Sequence, residues 1–310
     1  MVRKVLITGG LGFIGSHLAR ECVSAGHEVR LLSQTDRKIK NIAGIEEKVN
    51  LIIKGVKDIA EQDVSEIDWL FHCASTTDNY NIHEAPYLDT EVNCIGTLAV
   101  LESCRRYNPH AKIVYPSTFF VNGNLSQLPA TPDSPCEPLG LYPATKLAAE
   151  HFCKIYGKVF GLDTTIARLT NVFGVNEQRD NKKKAAFNNL IRLAVEGKEV
   201  PVYSNGDFIR DYIYVADVAS ALVTLAEKGE TGKVYYVGNG QPIKFKQLMD
   251  IVIEEAGAGI LVPIEPPQFH KSVGIVDYYC DNTSIKKLGW ESKISMREGI
   301  RRVVQEYKNG

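Results

Sequence analysis

A glycine-rich turn between an apolar strand and an amphipathic helix opens the chain, and few folds tolerate that combination. Arg3–Thr8 (RKVLIT) reads as a short buried strand, and Thr8-Gly9-Gly10-Leu11-Gly12-Phe13-Ile14-Gly15 follows at once. Ile14, Leu18, Cys22 and Ala25 then share one face of a helix predicted over 13–25, and Gly26 stops it. Gly9, Gly12 and Gly15 have the spacing of a dinucleotide-binding turn. One glycine permits the bend, one lets the backbone approach a pyrophosphate, and one lets the helix pack on the strand. The free N–H groups of the helix's first turn then face the phosphates.

The same alternation continues. Strands are expected at Glu28–Leu32, Leu51–Ile53, Asp68–Phe71, Lys112–Tyr115 and Thr164–Leu169, with helices at Leu88–Tyr107 and Tyr142–Tyr156. Strands alternating with helices predict an α/β fold, a Rossmann-type doubly wound parallel sheet. The pattern loosens after about residue 174. Helices near 185–196, 217–228 and 245–256 are interleaved with short extended pieces, and Val262–Pro267 reads as a surface segment. The expected organisation is a mainly NAD(P)-binding lobe over 1–174 and a smaller, mixed substrate lobe over 175–310, the two interleaved.

Composition excludes several functions. Lys plus Arg is 36 against 37 for Asp plus Glu, so bulk charge draws no nucleic acid. No run of 18 apolar residues exists, so no membrane span is expected. The first apolar stretch is too short for a signal peptide. The seven cysteines are scattered with no CxxC, which suits free thiols in a reducing cytoplasm. The histidines show no HxxxH or HxH spacing, so no metal site is expected. The run Asn181-Lys182-Lys183-Lys184 reads as a solvated loop.

Three further positions carry chemistry. Ser33 stands at the end of the second strand, where a carboxylate would bind the ribose diol of NAD; Arg37, Lys38 and Lys40 follow. A small polar residue with nearby cations suits a 2′-phosphate better, which favours NADP. Tyr142-Pro-Ala-Thr-Lys146 opens a helix, and residues four apart share a face, so the Lys146 ammonium is expected to lower the Tyr142 phenol pKa and make it an acid/base. Ser117-Thr118 ends the Lys112–Tyr115 strand, at the edge of a parallel sheet where ligands lie.

Taken together with His72-Cys73-Ala74-Ser75, Asn93-Cys94-Ile95-Gly96-Thr97, Arg168–Gly174, Asn205–Val218 and Leu288-Gly289-Trp290, these motifs resemble the extended short-chain dehydrogenase/reductase family over nearly the whole chain. That family comprises nucleotide-sugar epimerases, dehydratases and ketoreductases. The resemblance implies that Tyr142 is the acid/base, that Lys146 binds the nicotinamide ribose and tunes it, and that Thr118 polarises the same substrate oxygen. It implies cofactor contacts from Gly9, Gly12, Phe13, Ile14, Gly15, Ser33, Arg37, Ala74 and Asn93 as well as from Tyr142 and Lys146. Thr76, Thr118, Asn171 and Arg210 would bind substrate, with Asn171 and Arg210 on its diphosphate. Phe119 and Phe120 stand where dehydratases carry an acidic pair, so elimination of water lacks its acid and base. The implied activity is C4 epimerisation of a nucleotide-diphosphate sugar through a transient ketone. The alternatives are a single 4-ketoreduction and, in a different class, a non-catalytic NAD(P)-binding regulator. The resemblance also implies a homodimer formed through the helices 88–107 and 142–156.

Overall fold

The computed structural model describes residues 1–76, 85, 87–177 and 186–309. The lysine run 182–184 lies outside them.

Seven parallel strands form the central sheet: β1 (Lys4–Thr8), β2 (Glu28–Ser33), β3 (Val49–Ile53), β4 (Trp69–His72), β5 (Lys112–Thr118), β6 (Asp163–Leu169) and, from the second half of the chain, β7 (Val234–Val237). Their order in space is β7-β6-β5-β4-β1-β2-β3. From β1 the chain runs to β2 and β3 on one side, then returns to β4, β5 and β6 on the other. That reversal leaves a crevice between β1 and β4 at the strands' carboxyl ends, where the glycine turn sits. Strands β1, β4 and β5 are buried on both faces, as a helix-covered parallel sheet requires.

Helices α1 (Phe13–Ser24), α2 (Gly96–Tyr107) and α3 (Leu141–Phe160) cover the sheet. The helix expected over 88–107 is not uniform. Thr90–Ile95 winds as wider turns with i to i+5 bonding before the regular helix α2 begins. The widening turns Asn93 inward, where its side chain bonds Ser75, Thr76 and Thr145. Helix α3 runs four residues further than Tyr156 and stops at Gly161, whose φ of +73° ends a helix cheaply.

The second half contributes small two-stranded pieces and the helices α4 (Ala186–Val195), α5 (Val215–Lys228), α6 (Phe245–Ala256) and α7 (Met296–Asn309). Helix α5 packs on α1, and β7 pairs with β6, so this half re-enters the sheet. Helices α4, α6 and α7 enclose a separate apolar core with Phe173, Phe187, Ile191, Phe245, Leu248, Met249, Ile300 and Val303. Helix α7 went unread in the sequence, although Gly299, Ile300, Val303 and Val304 form its buried face. All seven cysteines are free thiols. Among the described residues no helix is long and apolar enough to cross a membrane, and no cluster of metal-ligating side chains forms.

One ion pair ties α3 to the sheet from inside. Arg168 on β6 donates from Nε and Nη2 to Glu150 on α3, with the Nη2–Oε2 distance 2.8 Å and side-chain exposures of 2% and 0%. Arg168 also donates to the Tyr236 hydroxyl at 3.3 Å. Removing one partner strands a buried charge. Arg168→Met is therefore expected to lose about 3–5 kcal/mol in chemical denaturation. The double variant Arg168→Met/Glu150→Leu is expected to recover most of that loss.

Candidate active site

The glycine turn is shaped by close approach. Gly9 has φ +67°, and a Cβ there would lie 2.8 Å from the Ala74 backbone, just beyond β4. A Cβ on Gly15 would lie 2.3 Å from the Gly9 carbonyl oxygen, and one on Gly12 2.9 Å from it. The Gly12 amide donates to that same oxygen at 2.8 Å. Helix α1 starts at Gly12 with no side-chain cap and no acidic residue in its first turn, so its N-terminal amides face outward unneutralised. This cradle fits a dinucleotide pyrophosphate. Ile14 lines the cavity beside it, whereas Phe13 packs edge-on against His17.

A buried polar chain braces the turn. The Thr8 hydroxyl accepts from the Ala74 amide at 3.2 Å and meets His72 Nδ1 at 2.7 Å, while His72 Nε2 meets the Thr97 hydroxyl at 3.0 Å. Burial pushes His72 down to about 3, so the ring is neutral and serves as a hydrogen-bonding strut.

The cavity at the carboxyl ends of β4, β5 and β6 holds about 250 Å³ and brings Thr118, Tyr142 and Lys146 together. Tyr142 is raised above the ordinary phenol value by burial, and a hydrogen bond with the Thr118 hydroxyl offsets part of that rise. This corrects one expectation from the sequence: the phenol is held up, not depressed. Lys146 Nζ donates to the Pro116 carbonyl at 2.7 Å. Burial brings Lys146 down to about 8. Asn93 donates to the Thr145 hydroxyl at 3.0 Å, and that hydroxyl donates to the Tyr142 carbonyl at 2.8 Å, so Asn93 steadies the first turn of α3.

The remaining predicted positions divide. Asn171 lines the cavity and donates from Nδ2 to the Asp211 carbonyl at 3.0 Å. Arg210 is not among the lining residues. It stacks over Phe208 at 4.5 Å and donates to the carbonyls of Ile209, Ile275 and Val276. It pairs with neither adjacent aspartate, because Asp207 binds Lys244 and the Asp211 carboxylate accepts from the Asn239 and Gly240 amides. The Thr76 hydroxyl accepts from Asn93 at 2.9 Å instead of facing the cavity. Ser33 donates to the Thr35 carbonyl at 2.9 Å, and Arg37 is exposed.

The sequence reading missed Glu177, Phe187 and Tyr212, which also line the cavity. Tyr212 falls within the Asn205–Val218 stretch without being singled out there, and no local motif marks Glu177 or Phe187; all three arrive from the second half of the chain. Burial, then the nearby Glu306, pushes the Glu177 carboxyl up to about 8.

Comparison with known proteins agrees with this geometry. Residues 5–238 match the description "NAD dependent epimerase/dehydratase family". The putative UDP-glucose 4-epimerase of Methanocaldococcus jannaschii is 31% identical over 309 residues, 98% of each chain. The crystal structure of Thermus thermophilus UDP-glucose 4-epimerase in complex with NAD superposes with a TM-score of 0.86 at 28% identity, covering 99% of both chains. Thermotoga maritima UDP-glucose 4-epimerase with UDP-glucose gives a TM-score of 0.86 at 25% identity, again over 99% of both.

Glu177 has a pH signature. Its folded pKa lies above the unfolded one, so the folded state binds the extra proton between about 4.5 and about 8, and stability falls as pH rises through that window. Glu177→Gln cannot ionise. At pH 9 its stability in urea is expected to exceed that of the parent by at least about 1 kcal/mol, with the difference vanishing below pH 4.5.

Proposed function

We propose that this chain, which belongs to the NAD dependent epimerase/dehydratase family, is a nucleotide-sugar C4 epimerase working through a transient ketone. The observation that carries this reading is the Thr118–Tyr142 hydroxyl pair, held in one cavity with the buried Lys146 ammonium. Two hydroxyls converging on one point suit a carbinol oxygen that becomes a carbonyl and reverts. Phe119 and Phe120, directly after Thr118, line the same cavity and offer no carboxyl for eliminating water, which argues against a dehydratase.

When bound, NAD(P) supplies the hydride acceptor and donor. The residues do the rest. As phenolate, Tyr142 takes the proton of the sugar hydroxyl at its phenolic oxygen and, now a phenol, returns it in the reverse direction, while Thr118 hydrogen-bonds the same oxygen throughout. Burial favours the neutral phenol at rest, so Tyr142 needs a positive neighbour to act as base, and Lys146 lies on its own helix face. The apolar lining, including Ile14, Leu169 and Phe187, keeps water from the exposed ketone. We assign Asn171 and Arg210 to the substrate diphosphate. Among the described residues Arg210 Nε–H and one Nη2–H carry no protein partner, and both suit phosphate oxygens. Gly9, Gly12 and Gly15 hold the cofactor pyrophosphate. The absence of a carboxylate at Ser33 and the exposed Arg37 favour a 2′-phosphate, hence NADP.

The nucleotide sugar is taken as a UDP-hexose, since all three similar proteins reported above are named for UDP-glucose. We also propose a homodimer through α2 and α3. Ile95, Tyr107, Ile155, Val159 and Phe160 leave an apolar surface there, with Val159 63% exposed. A Val159→Glu variant is expected to run as a monomer in light scattering where the parent runs as a dimer; a monomeric parent would sink the proposal.

The test of function is interconversion of UDP-glucose and UDP-galactose. Tyr142→Phe is expected to lower turnover about 10²–10⁴-fold while cofactor content is unchanged. Unchanged turnover would overturn the assignment. Mass spectrometry of the cofactor released on denaturation completes it. Stoichiometric retention fits an epimerase, whereas an empty protein that consumes free NADPH with a keto-sugar nucleotide would make it a ketoreductase.

A further inference from the structure

The Lys146 ammonium is taken out of water without a counter-ion. Among the described residues it makes no ion pair, and its one hydrogen bond runs to the Pro116 carbonyl. None of the titratable groups around it bonds it as a counter-ion, and the carboxylate that favours its charge, Glu150, does so only at a distance. On its own helix, Glu150 is occupied by Arg168 and the Cys153 thiol is held protonated by burial. Cys73, beyond β4, and Cys94, on the widened turn before α2, are likewise pushed up by burial. His72 on β4 is neutral, and the Tyr142 phenol is raised.

In contact with it lies the ring of Tyr115 on β5. Lys146 Nζ sits 4.1 Å from its centroid, and the ring is fully buried at 1% exposure. The face of an aromatic ring carries negative potential, and a desolvated cation feels it most strongly. The Tyr115 hydroxyl is buried with no hydrogen-bond partner among the described residues. Such an orphan is costly, so the ring face, not the hydroxyl, is the part the site uses.

We propose that Tyr115 is a positioning residue whose ring face keeps the Lys146 ammonium charged and seated on the Pro116 carbonyl, where it supports proton transfer at Tyr142. The catalytic half of this statement rests on the function proposed above; the electrostatic half stands on the geometry alone. Two adjacent residues of β5 thereby act together on one cation. The Pro116 carbonyl fixes where the ammonium sits, and the Tyr115 ring beneath fixes its charge.

The test follows Lys146 itself. In protein labelled with ¹³C at lysine Cε, the Lys146 resonance is assigned by its loss in Lys146→Arg and followed against pH. The parent midpoint is expected near 8. Tyr115→Phe is expected to leave it within a few tenths of a unit, and Tyr115→Leu to lower it by about one unit or more. Because Tyr115→Leu opens a cavity, a shape-preserving series backs it: phenylalanine and its progressively fluorinated forms at position 115, whose ring faces lose negative potential stepwise. A midpoint that falls along the series supports the platform; one that stays constant overturns it. The alkaline limb of kcat for UDP-galactose is expected to move by the same amount with KM unchanged. If the lysine midpoint moves and that limb does not, the platform holds and the role of Lys146 in turnover fails.

Discussion

A buried ammonium ion has to be compensated, and the site is arranged around that requirement. Lys146 lies beneath the mouth of the crevice, bonded to a carbonyl at the end of β5 and resting on an aromatic ring of the same strand. This contact sets the approach of α3 to the sheet. Tyr142 is one turn away on the same face, so its position follows from that of the lysine. The Arg168–Glu150 pair holds the next turn of α3 to β6, and together the two anchors leave the helix little freedom to slide.

The cofactor side obeys a steric constraint instead. Gly9 passes so close to Ala74, and Gly15 so close to the Gly9 carbonyl, that no side chain fits at either position. The result is a surface of backbone amides at the start of α1, at the point where the sheet reverses direction. The neutral His72, strung between Thr8 and Thr97, couples this turn to the segment that carries Asn93. Asn93 in turn steadies the residue before Lys146 through Thr145. A continuous polar path thus joins the glycine turn to Tyr142 and Lys146.

Much of this was legible in the sequence, for reasons that differ between residues. Gly9, Gly12 and Gly15 betray themselves because a tight strand-to-helix turn tolerates only glycine at such spacing. Tyr142 and Lys146 are legible because helical periodicity puts residues four apart on one face. Thr118 is legible because parallel strands end at the ligand crevice. The sign of the Tyr142 shift was not: a lysine four residues on suggests depression, whereas burial raises the phenol and the hydrogen bond with Thr118 offsets only part of that rise. Thr76 was placed against substrate, and the structure gives its hydroxyl to Asn93. The helix over 88–107 looked continuous because its apolar pattern does not reveal the widening that turns Asn93 inward.

The sequence by itself determined the parallel α/β sheet, the glycine turn and the grouping of Thr118, Tyr142 and Lys146, because each depends on local periodicity or on the sterics of neighbouring residues. Only the tertiary structure decided that Glu177, Phe187 and Tyr212 close the cavity and that Tyr115 underlies Lys146. It likewise decided that Arg210 rests on the carbonyls of Ile275 and Val276. These contacts join residues far apart in the chain, and burial, which sets the charge each titratable group carries, exists only once those distant segments have packed.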